Sequence, residues 1–357
     1  MNAPTATHIA ARANPLRSEA AEQLTKEGAR PLLRIEDFTL DFRIREGAVH
    51  ALDSVSLDIS RGEIVGMVGE SGSGKSVLAY AIMGLTDAAG LVRSGRIEFS
   101  GRDMLRKTPA RLSSMLGREI SMVFQSPRTA LNPIRRIGRQ VEDVLLRHGN
   151  VSRRAAQAAA VEALRRVRIP DPERRFYAYP FELSGGLCQR VMIAMALACS
   201  PSLLIADEPT GLDVTTQAAV MDLIRDQVRA LGASVLLITH NLALAGEYCD
   251  RIVVMHAGHL VEAAPAERLL RRAAHPYTAR LMGATPAVGM RIEDLASVPE
   301  ICPICGRRCL RVASCTAATA SMRVAAPRRC RRRWWKTAIS CAAGTRFERS
   351  AGDDWLG

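Results

Sequence analysis

The sequence predicts an α/β fold with a mixed sheet and buried central strands. Five short apolar runs lack polar alternation, the pattern of strands that are buried on both faces. They are IVGMV (64–68), ISMVF (120–124), LLIAD (203–207), VLLIT (235–239) and IVVM (252–255). The first run leads through a glycine-rich loop into a helical stretch that ends at Met83. A buried parallel strand that feeds a helix has this form.

Two further patterns add subdomains to this core. The stretches LLRIEDFTLDF (32–42) and VHALDSVSLDI (49–59) alternate with period two around a polar turn at Glu46-Gly47, which predicts an N-terminal antiparallel β subdomain. Residues 135–182 are rich in Ala, Arg, Leu and Glu at helical spacing and contain no buried-strand run. We therefore expect a helical subdomain inserted at about residues 130–185.

The two ends of the chain differ from the body. Residues 1–30 carry scattered charges without a sustained period, which predicts a flexible tail, and residues 31–285 form the predicted domain. Residues 286–357 predict an irregular, basic, cysteine-containing tail, because residues 301–357 alone contribute +9 of the net charge of +13. The longest apolar stretch, 191–206, is broken at 200–202, and residues 1–30 lack the features of a secretion signal. We expect a cytoplasmic chain that does not span a membrane.

The segment GESGSGKS matches the pattern G-x-x-x-x-G-K-[ST] and lies between a predicted buried strand and a predicted helix. Its residues are Gly69, Glu70, Ser71, Gly72, Ser73, Gly74, Lys75 and Ser76. The glycines let successive backbone N–H groups point inward at phosphate oxygens, and the positive end of the following helix adds to the attraction. Lys75 can then reach the β- and γ-phosphates, while Ser76 offers a hydroxyl to Mg²⁺.

A pair of carboxylates ends a second buried run, in LLIADEP (203–209). Asp207, nearest the strand, can hold Mg²⁺ through water, and Glu208 can polarise the water that attacks the γ-phosphate. Seen alone, the pair could equally be a solvated acidic turn. Together with the phosphate loop, it indicates a site for nucleotide phosphates and Mg²⁺, an arrangement that many phosphate-loop proteins would fit.

The segment LSGGLCQR (183–190) resembles the signature of ABC ATPases. This resemblance implies that Ser184, Gly185 and Gly186 close over an ATP held by the phosphate loop of a second subunit. Gln125 in VFQSP resembles the glutamine that contacts Mg²⁺ and senses the γ-phosphate, and His240 in LLITHN resembles the switch histidine.

The family also implies an aromatic ring that stacks on adenine ahead of the phosphate loop. Phe42 and His50 are the available rings, and we favour Phe42. The resemblance covers about residues 32–285 and predicts a phosphate-loop NTPase core.

Several longer sequence segments are similar to those of the ATPases of dipeptide, oligopeptide and nickel importers. The segments are VGESGSGKSV, AIMGL, FQSPRTALNP, YPFELSGG, QRVMIAMALAC and HPYTARLM. This resemblance implies an ATPase that powers peptide import from the cytoplasmic face of a bacterial inner membrane. Its implied partners are a second ATPase subunit, identical or homologous, two integral membrane permease subunits and, indirectly, a periplasmic solute-binding protein; no nucleic acid is expected.

The segment DEPTGLD departs from the family, which usually has two residues between the Thr and the Leu-Asp where this chain has only Gly211. Asp213, implied to lie beside the other subunit's phosphate loop, could be displaced by roughly 3 Å. We predict that ATP binding survives this shortening better than turnover, and that inserting Ala after Thr210 restores turnover. A degenerate copy that binds ATP with little hydrolysis is therefore one alternative.

The C-terminal tail departs as well. Cys302, Cys305, Cys309 and Cys315 lie near, but are spaced differently from, a cysteine motif that the subgroup usually carries and that could hold an iron–sulfur cluster. The segment PRRCRRRWWK could form a patch for nucleic acid or lipid, which makes a soluble ABC ATPase that acts on nucleic acid a second alternative. We favour a tail that has lost its ancestral sequence.

Overall fold

The computed structural model describes residues 30–44, 47–149, 151–208 and 214–284. Its strands are β1 (Leu33–Ile44), β2 (Gly47–Ile59), β3 (Ile64–Val68), β4 (Gly90–Phe99), β5 (Arg102–Asp103), β6 (Ile120–Val123), β7 (Leu203–Asp207), β8 (Ser234–Thr239), β9 (Arg251–His256) and β10 (His259–Pro265). The tails predicted at 1–30 and 286–357 lie outside the described residues apart from Arg30, so the tail cysteines and the basic segment stay untested.

The described residues contain eleven α-helices and one 3₁₀ turn, at Pro180–Glu182. They are α1 (Lys75–Met83), α2 (Pro109–Met115), α3 (Pro127–Ala130), α4 (Ile137–His148), α5 (Arg153–Arg166), α6 (Pro172–Arg175), α7 (Gly185–Leu197), α8 (Val214–Leu231), α9 (Leu242–Tyr248), α10 (Ala266–Arg271) and α11 (Pro276–Gly283). Within the described part of the chain, none of these helices combines the length and apolar character that a membrane span requires.

The strands form two sheets. The first has four strands in the order β2-β1-β4-β5 and is antiparallel throughout. The second has six strands in the order β10-β9-β3-β8-β7-β6, and all neighbours are parallel except the β9–β10 hairpin. Both the predicted mixed sheet and the predicted antiparallel sheet are therefore present.

Two apolar clusters fill the space on either side of the mixed sheet. In β3, Val65 and Met67 join the cluster shared with the antiparallel sheet, α1 and α2, while Ile64 and Val68 join the cluster on the other side, to which α4, α5, α7 and α8 contribute. Every residue of β3 is buried. Burial on both faces is the reason why this strand reads as an unbroken apolar run in the sequence.

Helices α3 to α7 lie between β6 and β7 in the chain, and α4, α5 and α6 fall inside residues 130–185, where a helical insertion is predicted. Ile137, Val141 and Leu145 lie one turn apart on α4 and are buried, as the helical period requires. The side chain of Ser152 caps α5 by accepting a hydrogen bond from the N–H of Ala155 at 3.4 Å. The extent of this insertion as a separate subdomain, and the domain limits 31–285, stay predictions.

Candidate nucleotide-binding and hydrolysis site

The predicted phosphate loop connects β3 to α1. Gly72 and Gly74 have φ angles of +79° and +104°, which side chains rarely tolerate. A Cβ atom on Gly69 would lie 2.2 Å from the carbonyl oxygen of Met255 in β9, so only glycine fits there. Helix α1 has no side-chain cap, and the positive end of its dipole faces the loop. These features fit the anion-binding role that the sequence predicts for the loop, and the role itself stays a prediction.

Lys75 holds the loop together from inside. Its ammonium donates hydrogen bonds to the carbonyl oxygens of Gly69 at 2.7 Å and Glu70 at 2.6 Å, and to the hydroxyl of Ser73 at 3.2 Å. Burial lowers the pKa of Lys75, an effect that the nearby carboxylates oppose. The cation therefore lies in the concave face of the loop, where phosphate oxygens would be attracted to it.

Asp207 ends β7 beside Ser76 in the first turn of α1, close enough for the hydroxyl to lower the pKa of the carboxyl. Burial raises the pKa of Asp207, while the charge of Lys75 and the Ser76 hydrogen bond act in the opposite direction. A hydroxyl and a carboxylate side by side are oxygen donors of the kind that Mg²⁺ prefers. The residues present therefore fit the predicted metal.

Glu208 follows Asp207 and is only 3% exposed. Its carboxylate accepts hydrogen bonds from the hydroxyl of Thr239 and the amide of Gln217, and from the N–H of His240 at 3.2 Å. Its own N–H donates to the carbonyl of Ile238 at 2.9 Å. The neighbouring strand β8 and helix α8 thus fix the orientation of this buried carboxylate.

His240 comes directly after β8 and is largely exposed. Its Nδ1 lies 3.3 Å from the Glu208 carboxylate. The hydroxyl of Thr239 accepts from the N–H of Asn241 at 2.8 Å, and the Asn241 side chain caps α9 through the N–H of Leu244 at 3.1 Å. The histidine therefore sits on a loop whose backbone is held on both sides.

Gln125 is exposed and lies two residues beyond the end of β6. Because β3, β8, β7 and β6 are parallel neighbours in that order, their carboxyl ends share one edge of the sheet. That edge brings together the phosphate loop, the Asp207–Glu208 pair, His240 and Gln125. Asp213 lies outside the described residues.

The predicted signature residues occupy the start of α7. Ser184 is exposed, and its hydroxyl caps the helix by accepting from the N–H of Leu187 at 3.4 Å. A Cβ atom on Gly186 would come within 3.0 Å of the Thr216 side chain in α8. The turn is thus a capped helix start packed against the helix that follows the acidic pair.

Neither candidate for adenine stacking is tested. Phe42 pairs with Val49 and packs, partly buried, against the core of the antiparallel sheet. His50 is largely exposed and lies 2.8 Å from Asp41. The carbonyl of its neighbour Ala51 lies 3.0 Å from where a Cβ on Gly74 would be, so this part of β2 borders the phosphate loop. The role of Phe42 stays a prediction.

Sequence reasoning did not single out Thr239 and Gln217, the two side chains that orient Glu208. Thr239 directly precedes the predicted histidine, and Gln217 lies in the first turn of α8. Their contacts with Glu208 join residues 31 and 9 positions apart. Only the position of Thr239 at a buried strand end could have indicated its role.

This sheet edge, with its phosphate loop and the adjacent carboxylates of Asp207 and Glu208, has the arrangement of a phosphate-loop ATPase. A family described as ABC transporter matches residues 52–211. The chain is 46% identical over 275 residues to the probable D,D-dipeptide transport ATP-binding protein DdpD of Escherichia coli (strain K12), covering 76% of this chain and 84% of that protein. The chain therefore belongs to the ABC transporter ATP-binding family.

Further relatives and solved structures agree. The dipeptide transport ATP-binding protein DppD of Escherichia coli (strain K12) is 42% identical over 273 residues, 76% of this chain and 84% of that protein. A putative peptide import ATP-binding protein of Brucella abortus (strain 2308) is 43% identical over 295 residues, which cover 82% of this chain and 89% of that protein. Among structures, the dimeric post-hydrolysis state of the ATP-binding cassette MJ0796 bound to ADP and phosphate has a TM-score of 0.59 at 28% identity, covering 66% of this chain and 98% of that one.

These findings confirm the predicted fold class and family. They support an ATP-binding, ATP-hydrolysing member, and they lend no support to the alternatives of a degenerate copy or a nucleic-acid-directed ATPase. The relatives are also of the subgroup that segments such as HPYT indicated.

Proposed function

We propose that this chain is the ATP-hydrolysing subunit that powers a peptide-import ABC transporter. The observation that supports the hydrolytic role is the buried carboxylate of Glu208, which accepts hydrogen bonds from Thr239 and Gln217 at the edge where the phosphate loop lies. The import of peptides is supported by the relatives, which include two dipeptide transport ATP-binding proteins of Escherichia coli.

Each group of residues at the site has its own role in ATP hydrolysis. The backbone of residues 69–76 and the ammonium of Lys75 bind and orient the phosphates of ATP. Glu208 orients the attacking water and accepts its proton, because an anchored carboxylate can act as a general base. His240, next to Glu208, and Gln125, at the same sheet edge, contact the γ-phosphate side of the site. These roles are proposals that mutation can test one by one.

A magnesium ion is the proposed metal. Ser76 and Asp207, together with Gln125, would hold it. When bound, Mg²⁺ would neutralise negative charge on the phosphates. All three side chains supply oxygen atoms, which matches the preference of this cation.

A second ATPase subunit would complete the site. The exposed, capped start of α7 at Ser184–Gly186 presents backbone N–H groups that can contact the γ-phosphate held by a facing subunit. The MJ0796 cassette is dimeric in its post-hydrolysis structure, which supports such pairing. Asp213 would belong to the same interface. Either an identical or a homologous subunit satisfies this geometry.

An apolar groove of about 630 Å³ offers a docking site for a membrane permease. Residues that line it include Leu85, Leu112, Phe124, Val144, Met192 and Met195. Leu85 and Phe124 are exposed, and Phe124 directly precedes Gln125. A permease helix seated here would touch the segment that carries Gln125 and could follow its movement. We accordingly place the chain at the cytoplasmic face of the inner membrane, with two permeases and, indirectly, a periplasmic solute-binding protein.

Uptake of labelled peptides tests this function. Cells without their own copy of the gene would receive the wild-type chain, Glu208→Gln, or Glu267→Gln, a matched control whose carboxylate is exposed on α10 and paired with Arg271. We expect the wild type and Glu267→Gln to restore uptake of labelled di- and tripeptides, and Glu208→Gln to leave it at background. Equal uptake in all strains, or uptake of nickel instead of peptides, would contradict the proposal.

A further inference from the structure

The segment HPYT at 275–278 has no part in the hydrolysis described above, yet it touches the phosphate loop. Tyr277, in the first turn of α11, is only 5% exposed. Its hydroxyl accepts a hydrogen bond from the backbone N–H of Glu70 at 3.3 Å. The contact joins residues 207 positions apart and brings the last described helix to the entrance of the loop.

The start of α11 is fixed by its own hydrogen bonds. His275 caps the helix, its Nδ1 accepting from the N–H of Tyr277 at 3.1 Å. The carboxylate of Glu262 in β10 accepts from the N–H groups of Ala274 and His275 at 2.8 and 3.0 Å. Tyr277 therefore projects from a helix end that is anchored to the mixed sheet.

The tyrosine ring is fixed as well. It lies against the ring of His256 at the end of β9, with centroids 4.1 Å apart and planes tilted by 32°. The residue before His256, Met255, is the one whose carbonyl closely approaches Gly69. The N–H of Gly258 in the β9–β10 turn donates to the carbonyl of Ser73 at 3.0 Å. The loop is thus hydrogen-bonded to the β9–β10 turn through Gly258 and to Tyr277, and it packs closely against Met255.

Glu70 connects Tyr277 to Lys75, the lysine of the phosphate loop. Its N–H is bonded to Tyr277, while its carbonyl oxygen accepts from the Lys75 ammonium at 2.6 Å. Burial raises the pKa of Tyr277 to about 12, so the phenol keeps its proton and the contact with Glu70 does not change across the physiological pH range. Moving Glu70 would therefore displace one of the three acceptors that hold the Lys75 ammonium in place.

We propose that Tyr277 is a positioning residue for ATP binding, which acts through Glu70 to hold the phosphate loop and Lys75 in their phosphate-binding arrangement. The inference rests on the proposed function of the loop. Because the hydroxyl meets the loop and not the hydrolytic carboxylate, its loss should weaken ATP binding and leave the rate at saturating ATP unchanged.

The test is Tyr277→Phe in the full chain, which removes the hydroxyl and retains the ring that packs on His256. We expect KM and the Kd for ATP to rise about threefold to tenfold, the effect of one hydrogen bond, with kcat within about twofold of the wild type. Tyr248→Phe is the matched control. Its hydroxyl also has a pKa raised to about 12, but it bonds to Asp222 between α9 and α8. This control should leave KM unchanged.

Hydrogen exchange at the loop supplies a second readout that does not depend on activity. We expect the amide of Glu70 to exchange faster in Tyr277→Phe than in the wild type, with exchange of β3 unchanged. An unchanged KM, an unchanged Glu70 exchange rate or an equal effect of Tyr248→Phe would overturn the proposal. Lys75→Ala distinguishes failure of the proposed nucleotide site from failure of the role proposed for Tyr277. If Lys75→Ala retains ATP binding, the proposed site is wrong. If Lys75→Ala abolishes ATP binding while Tyr277→Phe has no effect, only the role of Tyr277 is wrong.

Discussion

The imidazole Nδ1 of His240 lies 3.3 Å from the carboxylate of Glu208. The two residues follow adjacent parallel strands, and Thr239, the last residue of β8, donates a hydrogen bond from its hydroxyl to the same carboxylate. The backbone N–H of His240 contributes a further hydrogen bond. The end of β8 and the turn that follows it thus determine both the orientation of the Glu208 carboxylate and the position of the His240 ring beside it.

Thr239→Val should lower kcat for ATP hydrolysis about tenfold, the effect of losing one hydrogen bond to a charged group in the transition state. The shape of the side chain is preserved, and Thr239 has no contact with the phosphate loop among the interactions described, so KM for ATP should change little. Steady-state hydrolysis at saturating ATP measures the effect. Thr239→Ser, which keeps the hydroxyl, should restore most of the rate; a fully active Thr239→Val would mean that Glu208 is oriented without it.

Much of this arrangement could be predicted from the sequence, because its parts are local. The loop 69–76 and the pair Asp207 and Glu208 are contiguous motifs, and β3 is an apolar run because both of its faces are buried. In contrast, β4 was not predicted, since five successive residues, 92–96, are not buried and do not alternate. The edge strand β10 escaped notice for the same reason.

Contacts distant in sequence could not be predicted. Thr239, Gln217 and Tyr277 reach the site only once β8, α8 and α11 have packed, and nothing in a single sequence marks them as partners of Glu208 or Glu70. The HPYT segment indicates the importer subgroup, but its contact with the loop emerges from tertiary structure alone. Sequence patterns here give the elements and their motifs, while packing decides which side chains support them.

Gln189 in α7 is completely buried, and neither end of its side-chain amide has a hydrogen-bond partner among the described residues. Burying such a group without a partner costs about 1–3 kcal/mol. Gln189→Met, which keeps the length of the side chain, should therefore raise the free energy of unfolding by roughly that amount. Urea denaturation of the two proteins without nucleotide measures the difference; a less stable variant would show that the amide is satisfied after all.

Gly138 in α4 should not tolerate a side chain, because a Cβ there would lie 2.1 Å from the ring of Phe176, which is fully buried. Overpacking of this kind costs about 1–3 kcal/mol, so Gly138→Ala should destabilise the helical region by that amount. Amide exchange of α4 and α5 and thermal unfolding both report on it.

Phe176→Leu provides the control for this clash. If the ring is the obstacle, adding Phe176→Leu to Gly138→Ala should cost less than Phe176→Leu costs alone, giving a favourable coupling energy in the double-mutant cycle. Additive losses would instead indicate that the glycine is needed for its backbone. In either case Gly186→Ala, which meets only the Thr216 side chain at 3.0 Å, should be milder in its effect on stability.

Asp41 makes the antiparallel sheet sensitive to acid. The side chain is 2% exposed and lies 2.8 Å from both Nδ1 of His50 and Nε of Arg93. Burial alone would raise the pKa of Asp41, but the hydrogen bonds from Arg93 and His50 outweigh it and hold the pKa below its usual value. A carboxyl whose pKa is lowered by folding stabilises the protein above its unfolded pKa, and the contribution is lost as the pH falls through the folded value.

Asp41→Asn should thus lower the free energy of unfolding by about 1–2 kcal/mol at pH 7, a modest figure because both partners are half exposed or more. Urea denaturation at pH 7 and below about pH 4 measures the difference, which should shrink at the lower pH as the wild-type carboxyl becomes protonated. A difference that stays constant with pH would show that the shape of Asp41, and not its charge, supports the strands next to the phosphate loop.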